Sequence, residues 1–251
     1  MKLMSLNTWG CRITESLYDF ISNNKSFNVF CFQEILKGGN GKTVRGEIKS
    51  AYEDIQILLP DHLGYFQAYG EGGYYSESSK GLDFEYGIAC FVDKNLQQSC
   101  GHGINLIDQT KKYNDYSGRF AAGAALSVFV DDCIIVNVHG LWQGSIKTDT
   151  EAKIDQSRKI IDLVKGTDEK KLICGDFNLL PDTVSIQMIS EKYKNLVEEY
   201  NIRDTRGLLY TKENRYSDYA FVDKSLSIEN FSVPLISISD HLPLIIEFSR
   251  T

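Results

Sequence analysis

The chain has 251 residues, 42% of them hydrophobic and 12% aromatic, which is ample for a packed core and excludes an intrinsically disordered protein. Acidic residues number 34 against 27 Lys and Arg, and the net charge of −7 argues against broad electrostatic capture of long nucleic acids. It leaves room for a local basic groove or a metal ion that supplies positive charge where it is needed.

The first element in chain order is a strand in "KLMSLNTW", ending near Asn7, followed by an amphipathic helix in "ITESLYDFISNN" with Ile13, Leu17, Phe20 and Ile21 on one face. A second strand, "FNVFCFQEI", runs into Glu34, and another helix is expected after it. Further strands are read in "YGIACFVD", "AALSVFV" and "CIIVNVHGLW". "EAKIDQSRKIIDLVK" is a helix starting near Asp149 or Thr150, with Ile154, Ile161 and Val164 toward the core and Gly166 as its stop. The last strands are "KLICGDFN", "DYAFVD" and "LPLIIEF". Polar stretches at 71–82 and 107–119 read as surface loops. The mixture suggests a sheet-rich α+β or α/β sandwich with helices outside. No linker, repeat or low-complexity block divides the chain, so residues 1–251 are read as a single domain.

The six cysteines include no C-x-x-C pair, and Cys31, Cys90, Cys133 and Cys174 sit inside apolar runs. They read as buried free thiols of a reducing compartment. "MKLMSLNTWG" is too short for a signal-peptide core, and no run approaches the ~18 apolar residues of a membrane span. The expectation is a soluble, cytoplasmic protein.

Chemistry-bearing side chains gather where apolar runs stop. Asn7, Glu34 and His139 close three strands, Asp176 and Asn178 end "LICGDFN", Asp218 opens "SDYAFV", and Asp240 and His241 precede "LPLIIEF". Asp176 and Asn178 are two apart and would face one side of an extended chain. A lone Asn or Asp at a strand end usually caps a turn, and a lone Glu or His there has an equally structural reading. Six such ends in one layered fold can converge on one rim. Clustered carboxylates then need a cation or a proton among them. An oxygen-rich set without a thiolate cluster suits Mg²⁺ or Mn²⁺, or Ca²⁺, better than zinc.

The ordered series "LNTWG", "FQEI", "NVHG", "GDFN", "SDYAFV" and "SDH" resembles the endonuclease/exonuclease/phosphatase superfamily over almost the whole chain, from Asn7 to His241. "GDFN" and "SDH" are its most specific parts. The resemblance implies a four-layer α/β/β/α sandwich, two mixed sheets packed face to face with helices outside, and a site at one rim. It implies a divalent-metal phosphoesterase using Mg²⁺ or Mn²⁺, with Asn7, Glu34 and Asp240 holding the metal. By the same resemblance Asp176 activates water and Asn178 binds the scissile phosphate. His241 acts with Asp218, and His139 contacts the phosphate or assists the leaving group. Glu85 is a loosely aligned acidic partner for His139, and Arg119 matches an arginine that opens a strand.

Trp9 and Trp142 stand close enough to the motifs to stack on a substrate ring, although aromatics beside strand ends usually belong to the core. Arg12, Lys37, Lys42 and Arg45 flank the first two motifs and read as solvated surface. The substrate class stays open between a nuclease-like phosphodiester and a phospholipid or inositol phosphate. A non-catalytic binding module on the same scaffold would be expected to have lost one of these positions, and none is missing.

Overall fold

The computed structural model describes residues 1–69, 83–106, 123–144 and 146–249. The two polar stretches at 71–82 and 107–119, with Arg119, lie outside them. Continuous apolar runs form the central strands, because these strands are covered on both faces. In β2 (Val29–Lys37), Val29 and Cys31 join the core between the sheets. The intervening Phe30 and Phe32 pack under α1 (Thr14–Asn23) and α2 (Ala51–Leu58) with Leu17, Ile21 and Ile55. β1 (Lys2–Asn7) divides its side chains the same way, Leu3 to one core and Met4 and Leu6 to the other.

The first sheet adds β3 (His62–Ala68), β4 (Glu85–Asp93), β11 (Ile228–Ser232) and β12 (Leu244–Phe248), in the order β11-β12-β1-β2-β4-β3. The second holds β5 (Gln98–Asn105), β6 (Ala124–Val130), β7 (Cys133–His139), β8 (Lys170–Asp176), β9 (Lys194–Asn195) and β10 (Asp218–Val222), in the order β5-β6-β7-β8-β10-β9. Both sheets are mixed and each contains one parallel pair. α3 (Glu151–Leu163) and α4 (Val184–Ser190) share the second sheet's core through Ile160, Val164, Ile186 and Ile189. A short α5 (Leu196–Glu199) lies beside β10. This is the expected α/β sandwich of two mixed sheets with helices.

The parallel pairs explain where the polar ends go. Asn7 of β1 registers with Gln33 of β2, and His139 of β7 with Asp176 of β8, while Asp218 of antiparallel β10 also sits opposite Asp176. The C-terminal ends of four strands and the start of a fifth therefore share one rim. Across the gap between sheets, Gln33 Nε2 donates to Asn137 Oδ1 at 2.6 Å, and Asn137 Nδ2 donates to the Phe32 and Ala89 carbonyls at 3.0 and 2.9 Å. This buried amide pair pins the two sheets in one relative register.

Several details depart from the sequence-based expectation. α3 buries Lys153, Gln156, Ser157 and Ile160, whereas Ile154 and Ile161 are only half-buried. Its cap is Thr150, whose side chain accepts from the Lys153 amide. The strands β3, β5 and β11 carry no long apolar run because they sit at or near sheet edges, where one flank meets solvent. Cys31, Cys90, Cys133 and Cys174 are buried free thiols, as expected, while Cys100 is exposed. No helix among the described residues is long and apolar enough to cross a membrane.

Candidate active site

Two local distortions aim the acids. β2 breaks register with β4 between Phe32 and Ile35, and Glu34 takes a left-handed φ of 57°. Such a bulge turns a side chain out of the ladder toward a rim. The Thr8 hydroxyl lies 3.0 Å from both the Gln33 and Glu34 carbonyls, and the Glu34 amide donates to the Tyr69 hydroxyl at 3.4 Å. On β8, Gly175 has φ 141°, and a Cβ there would stand 1.9 Å from the Val138 carbonyl oxygen. Only glycine lets β7 and β8 close up immediately before Asp176. Asn178 is again left-handed, φ 55°, and its amide donates to Asp176 Oδ1 at 2.9 Å.

Asp176 is the hub. Its Oδ1 also accepts from the Ser217 hydroxyl at 2.6 Å, and its Oδ2 accepts from Asn7 Nδ2 at 3.0 Å. His241 Nε2, His139 Nε2 and Arg206 Nη2 lie 3.6, 3.8 and 3.9 Å from that same Oδ2. Burial opposes the Asp176 charge, but His241, Arg206, His139 and the Ser217 hydroxyl together hold its carboxyl well below the usual range. It is therefore a buried carboxylate, charged at neutral pH.

The two histidines differ. His241 Nδ1 lies 2.8 and 2.9 Å from the two oxygens of Asp218. Burial and Arg206 disfavour charge on His241, yet Asp218, Asp240 and Asp176 outweigh them and raise its pKa. His139 Nδ1 meets the Tyr69 hydroxyl instead, and burial lowers its pKa despite Asp176 and Glu34. The expected acidic partner, Glu85, is exposed on β4 opposite Lys37. Strand alternation turns the next residue, Tyr86, inward, and its hydroxyl donates to Glu34 Oε2 at 3.0 Å.

Glu34 Oε1 accepts from Asn7 Nδ2 at 3.1 Å, so one amide clamps the Glu34 and Asp176 carboxylates together. The Asn7 oxygen accepts from the Trp9 amide at 3.0 Å and is turned away from those carboxylates. Asp240 Oδ2 accepts from Arg206 Nη1 at 3.2 Å, whereas its buried Oδ1 has no hydrogen-bond partner among the described residues. Ligand atoms of Asp176, Asp218 and His241 lie within 4.8 Å of one another. Both Asp218 oxygens are already turned to an imidazole nitrogen, so this trio suits proton handling. An oxygen-seeking cation fits better at Glu34 and at Asp240 Oδ1, which accepts no hydrogen bond among the described residues and lies 3.9 Å from His241 Nε2.

Asn178 Nδ2 donates to the Gly140 carbonyl at 3.2 Å, which ties the ends of β7 and β8 together. α3 supports both ends from behind. Lys153 Nζ donates to the Asn178 carbonyl at 3.0 Å, and Gln156 Oε1 accepts from the Leu141 amide at 2.6 Å.

A cleft of about 600 Å³ opens above these groups. Trp9 and Trp142 line it as half-buried residues, rather than lying in the core. Lys147, Arg206 and Tyr210 line it as well. Arg12 is not free surface: it pairs with Glu47 at 2.7 Å and stacks on Trp9 at 4.8 Å. Lys37 likewise lies 5.0 Å from the ring centroids of Tyr52 and Phe66.

Ser217, Tyr69, Tyr86, Lys147 and Arg206 escaped the sequence reading. Ser217 stands inside "SDYAFV", where a hydroxyl just before the acid was the available signal. Arg206 lies in "DTRGLLY", a segment without periodicity, and nothing local marks it.

The sequence profile of the Endonuclease/Exonuclease/phosphatase family matches residues 4–241. No curated protein matches the sequence. Among solved structures, the mannosyl-6-phosphatase of Bacteroides thetaiotaomicron superposes with TM-score 0.68 at 16% identity, covering 100% of both chains. An endonuclease/exonuclease/phosphatase from Bacteroides vulgatus gives 0.68 at 15%, covering 99% of this chain and 98% of its own. The human Nocturnin catalytic domain with bound sulfate gives 0.60 at 16%, covering 100% and 93%. These likenesses establish a shared fold. Members of the superfamily are mostly hydrolytic phosphoesterases, phosphatases and nucleases among them, that usually use a divalent metal. The chain belongs to the endonuclease/exonuclease/phosphatase family.

Proposed function

We propose that this single domain is a divalent-metal phosphoesterase that hydrolyses a phosphoester by in-line attack of an activated water. One observation carries the reading: His241 backed by Asp218, the charged Asp176, Glu34 and His139 converge on one rim of the paired sheets. Strand ends contributed only to architecture would not need three carboxylates and two imidazoles gathered at one rim. A binding module would not need an imidazole with a buried acid behind it.

Mg²⁺ or Mn²⁺ suits the oxygen donors of Glu34 and Asp240, with Asn7 clamping Glu34 in place. When bound it supplies charge stabilisation for the phosphoryl oxygens and the departing oxyanion. Asp176 accepts a hydrogen bond from the attacking water and orients it, and Asn7, Ser217 and the Asn178 amide hold its carboxylate in position. Asp218 keeps the His241 Nδ1 proton in place, so that Nε2 faces the cleft and favours negative charge there. His139, with Tyr69 on Nδ1, turns Nε2 to Asp176 and Glu34 and serves the leaving-group side. The Asn178 side chain borders the cleft and contacts the phosphate.

The substrate is a phosphoester, and the low identity to known structures leaves nuclease, lipid and small-molecule branches to experiment. The test is a panel of mono- and bis-p-nitrophenyl phosphate, plasmid DNA, sphingomyelin and inositol phosphates, each with Mg²⁺, Mn²⁺ or EDTA. The expected result is turnover of at least one substrate that EDTA abolishes. Turnover untouched by EDTA overturns the metal mechanism, and no turnover across the panel overturns the hydrolase reading.

A further inference from the structure

Among the described residues, one buried cation of the cleft has no acidic group at ion-pair distance. Lys147 is buried, lines the cleft, and among the described residues its ammonium donates only to the Asn214 and Tyr216 carbonyls, at 3.2 and 2.6 Å. Carbonyls solvate an ammonium but leave its charge unbalanced, and burying an unbalanced charge is costly. A second cation stands beside it. The Arg206 guanidinium lies 4.5 Å from the Tyr210 ring centroid, and Lys147 Nζ lies 5.3 Å from the same ring. Arg206 gives its two terminal nitrogens to Asp240 and Ser217, and its buried Nε has no hydrogen-bond partner among the described residues. Burial and the repulsion of Arg206 depress the Lys147 pKa to about 8, against the pull of Asp176 and Asp218. At pH 7 the ammonium is still charged.

Two like charges beside one ring line a cleft that Glu34, Asp176 and Asp240 also line. Such an arrangement suits an anion seated at the paired cations. Resting on the phosphoesterase reading above, we propose that Lys147 and Arg206 form an anion subsite for a terminal phosphate, making the enzyme selective for phosphomonoesters over phosphodiesters. The chemistry distinguishes the two classes. A diester's phosphate carries one charge, with two oxygens esterified. A monoester carries up to two charges and one more unesterified oxygen, which needs donors beyond those that serve a diester. Lys147 provides a compact point charge for it, and Arg206 a planar, delocalised one.

The test compares p-nitrophenyl phosphate with bis-p-nitrophenyl phosphate at pH 7 for the wild type, Lys147→Gln and Lys147→Arg. The wild type should favour the monoester at least tenfold in kcat/KM. Lys147→Gln should bring the two substrates to within about threefold, by losing the monoester selectively, and Lys147→Arg should keep the preference. Equal losses on both substrates, or a wild type that favours the diester, would overturn the subsite. A second arm is independent of turnover: inorganic phosphate titrated calorimetrically into the full-length, EDTA-treated protein. The wild type should bind at least tenfold more tightly than Lys147→Gln, with both variants matching its circular dichroism. Equal affinities would also overturn the proposal. A wild type that binds phosphate in this way but hydrolyses nothing contradicts the phosphoesterase reading and supports the subsite.

Discussion

The two oxygens of Asp218 lie 2.8 and 2.9 Å from Nδ1 of His241, and Nε2 of the same ring stands 3.6 Å from Asp176. A carboxylate only accepts, so Nδ1 carries the proton and Nε2 is the nitrogen turned to the cleft.

Asp218→Asn should therefore lower the His241 pKa and reduce turnover by about 10²- to 10⁴-fold. Because the folded value is raised, the stabilising contribution is complete below the unfolded pKa of roughly 6.5 and fades as pH rises through the folded one. The variant should accordingly lose more stability at pH 6 than at pH 9. Proton NMR titration of the imidazole and denaturant unfolding at both pH values check this. An unchanged His241 titration would mean that Asp218 does not control its proton.

Glu34→Gln should weaken Mn²⁺ binding by roughly tenfold or more, since it removes the charge of the main oxygen donor. Tyr86→Phe removes only the hydroxyl that orients Glu34 Oε2 and should cost about 10- to 100-fold in metal affinity or activity. Calorimetric titration of the metal reads both directly. Wild-type affinity in Glu34→Gln would move the metal away from this acid.

At Gly175 the expectation concerns stability. With φ at 141° and a Cβ only 1.9 Å from the Val138 oxygen, Gly175→Ala must push β7 and β8 apart. The cost should be about 2–4 kcal/mol in urea unfolding, with loss of activity through displaced Asp176. A variant of wild-type stability would contradict this packing.

The motifs were legible because each acid or histidine closes an apolar run, and parallel pairing then brings those closures to one rim. The surrounding groups were not. Glu85 aligns loosely as an acidic partner of His139, yet strand parity faces it outward and gives the inward place to Tyr86. On α3 the apolar residues Ile154 and Ile161 suggested the buried face. The structure buries Lys153 and Gln156 instead, because these side chains satisfy backbone groups behind the site. Arg206 and Lys147 lie on irregular segments, where only tertiary contacts reveal a role. The edge strands β3, β5 and β11 lacked the continuous apolar pattern by which the central strands were recognised.

Lys153 makes a further test of that hidden polar face. It is fully buried, donates to the Ile146 and Asn178 carbonyls at 2.6 and 3.0 Å, and burial lowers its pKa to about 8 despite Asp176 and Asp149. A lysine with a depressed folded pKa disfavours folding below that value, and the penalty is relieved as pH rises from there toward the unfolded pKa of about 10.4. The stability of the wild type relative to Lys153→Met should increase between pH 7.5 and pH 9.5, by on the order of 1–3 kcal/mol. Urea unfolding at the two pH values measures it, and a constant difference would rule out a titrating Lys153.

The role of Asp176 is the centre of the account. Its most direct test is single-turnover hydrolysis, with Mg²⁺ present, of the best substrate from the phosphoester panel by the wild type and Asp176→Asn. Circular dichroism of both proteins serves as the control for folding. A well-folded Asp176→Asn whose rate falls by roughly 10²-fold or more is the predicted result. A well-folded variant with near-normal turnover would contradict it.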